Sequence, residues 1–134
     1  MNEEFGELYL AIGGEAVITK IVDAFYAGVA TDPILRPLYP DEDLGDANWR
    51  LRMFLVQYWG GPSTYSEERG HPRLRMRHVP FRITTVERDA WLGHMIGAIE
   101  SVAEQTAMPE SMRARFIDYV TMAADSLVNT DLEP

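Results

Sequence analysis

Val17-Ile18-Thr19-Lys20-Ile21-Val22-Asp23-Ala24-Phe25-Tyr26-Ala27-Gly28-Val29 puts apolar side chains at 17, 18, 21, 22, 25 and 29. That spacing is the period of an amphipathic helix with one buried stripe. Gly13-Gly14 precedes the stripe and Thr31-Asp32-Pro33 ends it. The same period returns further along the chain. Asp46 is placed to cap a second helix, with Ala47, Leu51, Phe54, Leu55 and Tyr58 on its inner side, and Gly60-Gly61-Pro62 stops it. Thr84-Thr85-Val86-Glu87 reads as a capping box, a hydroxyl and a carboxylate three residues apart that each satisfy a free backbone amide. It opens a third helix that turns Trp91, Met95, Ala98, Ile99 and Val102 inward. Pro109 suits the first position of a fourth, striped by Met112, Phe116, Val120, Ala123 and Leu127. A turn-rich segment runs to Gly45, a long loop runs from Pro62 to about Pro72, and a short helical piece carries His78. No segment alternates with the period of a strand. The pattern predicts one all-α domain over residues 1–134, with four main helices and a loop-rich middle.

Composition narrows the chemistry. A chain of 134 residues, 46% of them hydrophobic, can bury a real core. It has no cysteine, which removes disulfides, thiolate zinc sites, iron–sulfur clusters and cysteine nucleophiles, and fits a reducing cytoplasm. The start, Met1-Asn2-Glu3-Glu4, lacks the basic and apolar regions of a signal peptide. No apolar run approaches the roughly 18 residues of a membrane span. A cytoplasmic location without a membrane span is therefore expected. The net charge of −9 argues against nucleic acid or an anionic membrane as partner. Against that acidic background, Arg69, Arg73, Arg75, Arg77, Arg82 and Arg88 hold half of the twelve basic residues. Most of that cluster reads as solvated loop and helix edge, with one or two members left to form an anion site near His78.

Arg75-Met76-Arg77-His78-Val79-Pro80-Phe81 carries the most specific chemistry. A neutral imidazole near a helix end and beside an apolar step can point into an apolar cavity and bind a metal, while neighbouring arginines meet an anion on the same ligand. Heme presents both an iron and two carboxylates, so the stretch fits an axial heme ligand. An isolated histidine near an apolar face is more often structural, and the stretch alone does not settle the matter. Other motifs are missing: there is no glycine-rich phosphate loop, no metalloprotease histidine pair and no outstanding carboxylate pair. Aromatic residues with polar tips are plentiful: Tyr26, Tyr39, Tyr58, Tyr65, Trp59 and Trp91. When buried, each needs a partner for its O–H or N–H, and several around one cavity suit a polar ligand.

Three blocks in order carry a family resemblance: Leu51-Arg52-Met53-Phe54-Leu55 through Tyr58-Trp59-Gly60-Gly61-Pro62, then Gly70-His71-Pro72-Arg73-Leu74-Arg75-Met76-Arg77-His78, then Glu87-Arg88-Asp89-Ala90-Trp91-Leu92. With the Gly-Gly breaks at 13–14 and 60–61, the chain resembles the group II truncated hemoglobins from about Gly13 to Val128. The resemblance implies a globin-like two-over-two helical sandwich around heme b. It implies that His78 is the iron ligand, its other ring nitrogen donating to a backbone carbonyl one turn back. Trp91 and Tyr39 become donors to a ligand on the iron, and Tyr26 a third distal polar group. Ala47 falls where many globins place a distal histidine or glutamine, which leaves the side route to the iron less gated. Leu51 packs on the ligand and Phe54 on the heme, while Arg50 and Arg77 become the partners of the heme carboxylates. By the residues alone, Trp91, Tyr26, Leu51 and Phe54 read equally well as core. His71, before Pro72, reads as structural, and His94, one turn beyond Trp91, is the rival iron ligand.

The function implied is reversible binding of oxygen, carbon monoxide and nitric oxide at a histidine-ligated iron, with slow oxygen release. Slow release suits nitric oxide or peroxide chemistry better than bulk oxygen transport. Two alternatives stand beside it: a dedicated heme peroxidase or nitric oxide dioxygenase with a reductase partner, and a heme-free helical interaction module that stays colourless with added hemin. The sequence leaves a homo-oligomer open.

Overall fold

A computed structural model of the chain describes residues 9, 10, 12–39, 43–70, 78 and 81–130. Helix α1 spans Gly14–Val29 and buries the whole predicted stripe, Val17, Ile18, Ile21, Val22, Phe25 and Val29, with Tyr26 added. Gly13 precedes it at φ 108°, a left-handed turn where a Cβ would also strike the Val17 side chain.

Helix α2 spans Gly45–Tyr58. Its cap differs from the expectation. Asp43 Oδ1 accepts from the Gly45 N–H at 2.6 Å, while Asp46 lies in the first turn, where its charge favours the helix dipole. Ala47 and Leu55 are buried as expected, but Tyr58 is 40% exposed, with Met53, Val56 and Trp59 buried in its stead. The reason is packing at the helix end. Trp59 stacks on Phe116 with ring centroids 5.1 Å apart, and Tyr58 is left to stack on Tyr119 at 3.9 Å.

A short helix α3, Thr64–Arg69, stands where a loop was expected. It is held by tertiary bonds that leave no periodic trace. Gln57 Nε2 donates to Ser66 Oγ at 2.8 Å and Gln57 Oε1 accepts from the Ser66 N–H at 2.9 Å, while Tyr65 is buried.

Helix α4, Thr85–Thr106, begins with the predicted capping box. Thr84 Oγ1 accepts from the Val86 N–H at 3.1 Å, and the Thr84 N–H donates to Glu87 at 2.7 Å. Helix α5, Glu110–Leu127, starts one residue later than expected, with Pro109 just outside it in an extended conformation. α1 packs on α2 and on α4, and α4 packs on α5. These two helix pairs, stacked through the α1–α4 contact, form the expected two-over-two sandwich. Among the described residues no strand occurs, and no helix is long and apolar enough to cross a membrane.

Candidate functional site

A cavity of about 480 Å³ opens between these helices, within the range of small-molecule and cofactor sites. Most of its wall is apolar. His78, Arg50, Leu51 and Phe54 line it. So do Tyr26, Tyr39, Ala47 and Trp91, which come from α1, the segment after it, α2 and α4. Arg77 and His71 lie outside the described residues, as does the carbonyl one turn before His78.

One wall is a string of edge-on aromatic rings. Phe25, fully buried on α1, lies 5.4 Å from Trp91 and 4.9 Å from Tyr26, and Tyr26 lies 5.7 Å from Tyr39. Such pairs fix ring orientation as well as burying area. The polar tips follow from the same geometry. The Tyr26 hydroxyl donates to the Ala47 carbonyl at 3.3 Å, and the Tyr39 hydroxyl oxygen is its other neighbour. Where Tyr26 donates to the Tyr39 oxygen, the Tyr39 proton is left for a ligand; where Tyr26 donates to Ala47, its own oxygen can accept the Tyr39 proton. Burial pushes both phenols above their ordinary pKa, with the Tyr39 charge adding to the effect on Tyr26. The Arg50 guanidinium pulls the other way on both without reversing the shift. Both hydroxyls therefore stay protonated at neutral pH. The Trp91 N–H makes no hydrogen bond to any of the described residues, and as an indole it can only donate.

A polar strap ties this wall together from behind. His94, three residues along α4 from Trp91, bonds Asp32 through Nε2 at 2.6 Å. Asp32 Oδ1 accepts from the Ile34 and Leu35 N–H groups at 2.7 and 3.1 Å. The Arg36 side chain then donates to the Tyr39 carbonyl at 2.7 Å. The His94 bond is the largest cause holding the Asp32 carboxyl below its usual range. His94 does not line the cavity, so its place in the strap replaces its reading as a rival ligand. Gly28 makes the strap possible: a Cβ there would overlap the His94 ring.

His78 is helical, as expected, and its carbonyl accepts from the Phe81 N–H at 3.0 Å. Phe81 lies beside the imidazole, ring centroids 6.3 Å apart, and also lines the cavity. Tyr65, from the polar-tipped aromatic set, and Arg69 and Arg88, from the arginine cluster, also line the cavity, whereas sequence reasoning gave Phe81 no role at the site and placed Met95 in the core. Helical periodicity cannot separate a side chain that faces a core from one that faces a cavity inside it. Arg88 is committed to Asp89 and Asp125, both at 3.0 Å, whereas Arg50 has no ion pair among the described residues.

The donor set fits heme. Among the described residues no three His, Cys, Asp or Glu side chains gather as a metal site. A lone imidazole on the cavity wall suits a metal that brings its remaining ligands with it, as in a macrocycle. The apolar wall suits a porphyrin face, and Arg50, with no ion pair among the described residues, offers a positive charge for a carboxylate.

Comparison with known proteins agrees with this geometry. The family model described as bacterial-like globin matches residues 7–126. The chain is 43% identical over 115 residues to the group 2 truncated hemoglobin YjbI of Bacillus subtilis, covering 86% of each chain. The crystal structure of a thermostable hemoglobin from Thermobifida fusca superposes with a TM-score of 0.87 at 54% identity, covering 92% of this chain and 97% of that one. A truncated oxygen-avid haemoglobin from Bacillus subtilis superposes with a TM-score of 0.82 at 40% identity, covering 91% and 98%.

Proposed function

Since this chain belongs to the bacterial-like globins, and within them to the group II truncated hemoglobins, it binds heme and through it diatomic ligands; we propose that His78 is its iron ligand and that Tyr39 and Trp91 make it slow to release oxygen. Heme, when bound, supplies an iron that takes up diatomic ligands and exchanges electrons with them. The chain's residues supply the rest. His78 holds the metal from its turn. Leu51 would pack against the ligand and Phe54 against the macrocycle, and Arg50, with Arg77, would neutralise its carboxylates. Tyr26 and Ala47 shape the ligand's end of the cavity, Tyr26 by orienting the Tyr39 hydroxyl.

The observation that carries this reading is the pair of donors lining one aromatic wall of the cavity, the Tyr39 O–H and the Trp91 N–H. A hydrogen bond to a charged or strongly polarised group is worth about 1.5–3 kcal/mol, or roughly ten- to a hundred-fold in a dissociation rate. Two donors would favour a ligand whose far end carries partial negative charge, so oxygen would gain more from Tyr39 and Trp91 than carbon monoxide. The Bacillus subtilis haemoglobin that superposes on this chain is described as oxygen-avid, in the same direction. Slow release favours nitric oxide or peroxide chemistry over oxygen transport, in the cytoplasm and with a reductase restoring the iron.

Stopped-flow oxygen release tests this. Trp91→Phe is expected to speed release by roughly ten-fold or more. Tyr39→Phe should act in the same direction, and the double variant should give less than the sum because both donors serve one ligand. Carbon monoxide release should change less. Wild-type oxygen release in all three variants would remove the reading. Turnover of nitric oxide or peroxide that stops without an added electron source would identify a reductase-dependent enzyme.

A further inference from the structure

We propose that Asn129 is the positioning residue for His78, a latch that sets how the imidazole is presented to the metal; this rests on His78 being the iron ligand. Asn129 lies beyond the end of α5, where Val128 turns the chain off the helix axis in an extended conformation. Its side chain reaches back across the sequence to the His78 turn. Asn129 Nδ2 donates to the Phe81 carbonyl at 2.9 Å and to the His78 carbonyl at 3.3 Å. Asn129 Oδ1 accepts from the Ile83 N–H at 3.0 Å. The backbone adds to it, because the N–H groups of Asn129 and Thr130 both donate to the Ile83 carbonyl, at 2.9 and 3.1 Å.

Every polar capacity of the amide is in use. Thr130 Oγ1 donates to Asn129 Oδ1 at 2.8 Å, so two donors and a doubly used acceptor are all engaged. Only a carboxamide offers two donors and an acceptor on one planar group. A hydroxyl has too few donors, and a carboxylate has none. Asn129 itself is exposed and is not part of the cavity wall, so neither core packing nor ligand contact accounts for this set of bonds. The base of the latch is fixed as well. Arg88 in the first turn of α4 bonds Asp125 in the last turn of α5, which keeps the end of α5 beside the loop it clasps.

The bonds fall on the atoms that matter for the imidazole. The His78 carbonyl accepts from both Phe81 and Asn129, so the peptide that carries the ring is pinned from two sides. The ring pivots on that backbone, and a change in the peptide plane tilts it. Asn129 therefore governs the angle at which His78 meets a metal and how long the metal's carrier stays bound.

The test uses the heme-loaded full chain with Asn129→Asp and Asn129→Ala. Asp keeps the acceptor for the Ile83 N–H but loses both donors and turns a carboxylate toward two carbonyls. Ala loses all four side-chain bonds. Resonance Raman spectra of the reduced protein read the iron–histidine stretch directly, and transfer of heme to an apo-globin acceptor reads retention. Both variants are expected to shift or broaden the iron–histidine band and to speed heme transfer by roughly ten-fold. Exchange of the Ile83 amide should quicken in Asn129→Ala and stay slow in Asn129→Asp, which shows the chain still folded and the acceptor role intact. An unchanged band and unchanged transfer in both variants would overturn the latch. His78→Ala separates the two ideas. If it loses the wild-type reduced spectrum while the Asn129 variants keep their band, the latch alone is wrong. If it keeps that spectrum, His78 is not the ligand and both fall.

Discussion

The Tyr39–Trp91 wall and the His78 turn line the same cavity, yet they are held by different forces. The wall is built on the most buried part of the molecule. Phe25 is fully buried beneath Trp91 and Tyr26, and the α1–α4 contact that carries it is the centre of the sandwich. The His78 turn is held by bonds between backbone carbonyls and one exposed amide from the far end of the chain. Apolar packing is collective, whereas a hydrogen-bond latch is a short list. Damage to the wall should cost global stability along with ligand affinity. Damage to the turn should change metal presentation while the fold stands.

The largest expected effect tests the wall. Phe25→Ala removes a fully buried ring against which Trp91 and Tyr26 both pack. Truncations of that kind cost about 3–5 kcal/mol, a large share of a domain's stability. Chemical denaturation should show that loss, with oxygen release quickened as both donors loosen. A loss under about 1 kcal/mol would mean the wall is no better buried than the turn, and the contrast would go. The Asn129 variants should lose far less stability than this while moving the iron–histidine band.

The two regions also differ in how far they could be read from the sequence. The wall's foundations were legible because the α1 and α4 stripes repeat at the helical period, and because the capping box at Thr84 and Glu87 is a local signal. The family resemblance supplied what periodicity cannot, that Trp91 and Tyr39 belong to a site. The turn was legible only as His78 itself. Asn129 bonds partners 46 to 51 residues away, and nothing near position 129 announces them. The same limit explains α3, whose Gln57–Ser66 bonds are tertiary, and Tyr58, which helical phase placed inside although Trp59 took the buried space. His94 stood out as a titratable residue, but its partner is Asp32, in a turn that the sequence marked only as a helix end.

A middle-sized effect probes the strap behind the wall. Gly28→Ala adds a methyl group where the His94 ring now lies. Overpacking of this sort costs roughly 1–3 kcal/mol, and the better helix propensity of alanine returns about 1 kcal/mol. A net loss of up to about 2 kcal/mol is expected from the difference between those ranges. Displacing His94 also frees Asp32, so the turn that leads to Tyr39 loosens and oxygen release should rise with Trp91 unchanged. A variant more stable than wild type, with unaltered release, would mean that the strap does not brace the wall.

The smallest effect sharpens the contrast from the side of the turn. Ile83, bound by Asn129, is followed at once by Thr84, the N-cap of α4, so the capping box fixes the downstream end of the segment the latch holds. Thr84→Ala removes the acceptor for the Val86 N–H and the hydroxyl partner of Glu87, at a cost of about 1 kcal/mol. Part of that cost depends on pH. The Thr84 side chain is the main cause holding the Glu87 carboxyl below its usual range, so this stabilisation is present above the ordinary carboxylate pKa of 4.5 and is lost as pH falls through the lowered value. Alanine at 84 reduces the shift, because only the backbone bond to Glu87 remains. Equilibrium unfolding of the two proteins should therefore show the widest gap near neutral pH and a narrower one in acid, where the wild type has lost what the variant never had. The gap should not close, because the Val86 bond does not titrate. A gap that is constant with pH would mean that Glu87 does not feel the Thr84 hydroxyl. A gap that widens in acid would reverse the sign of the coupling and leave the start of α4 held by something other than its capping box.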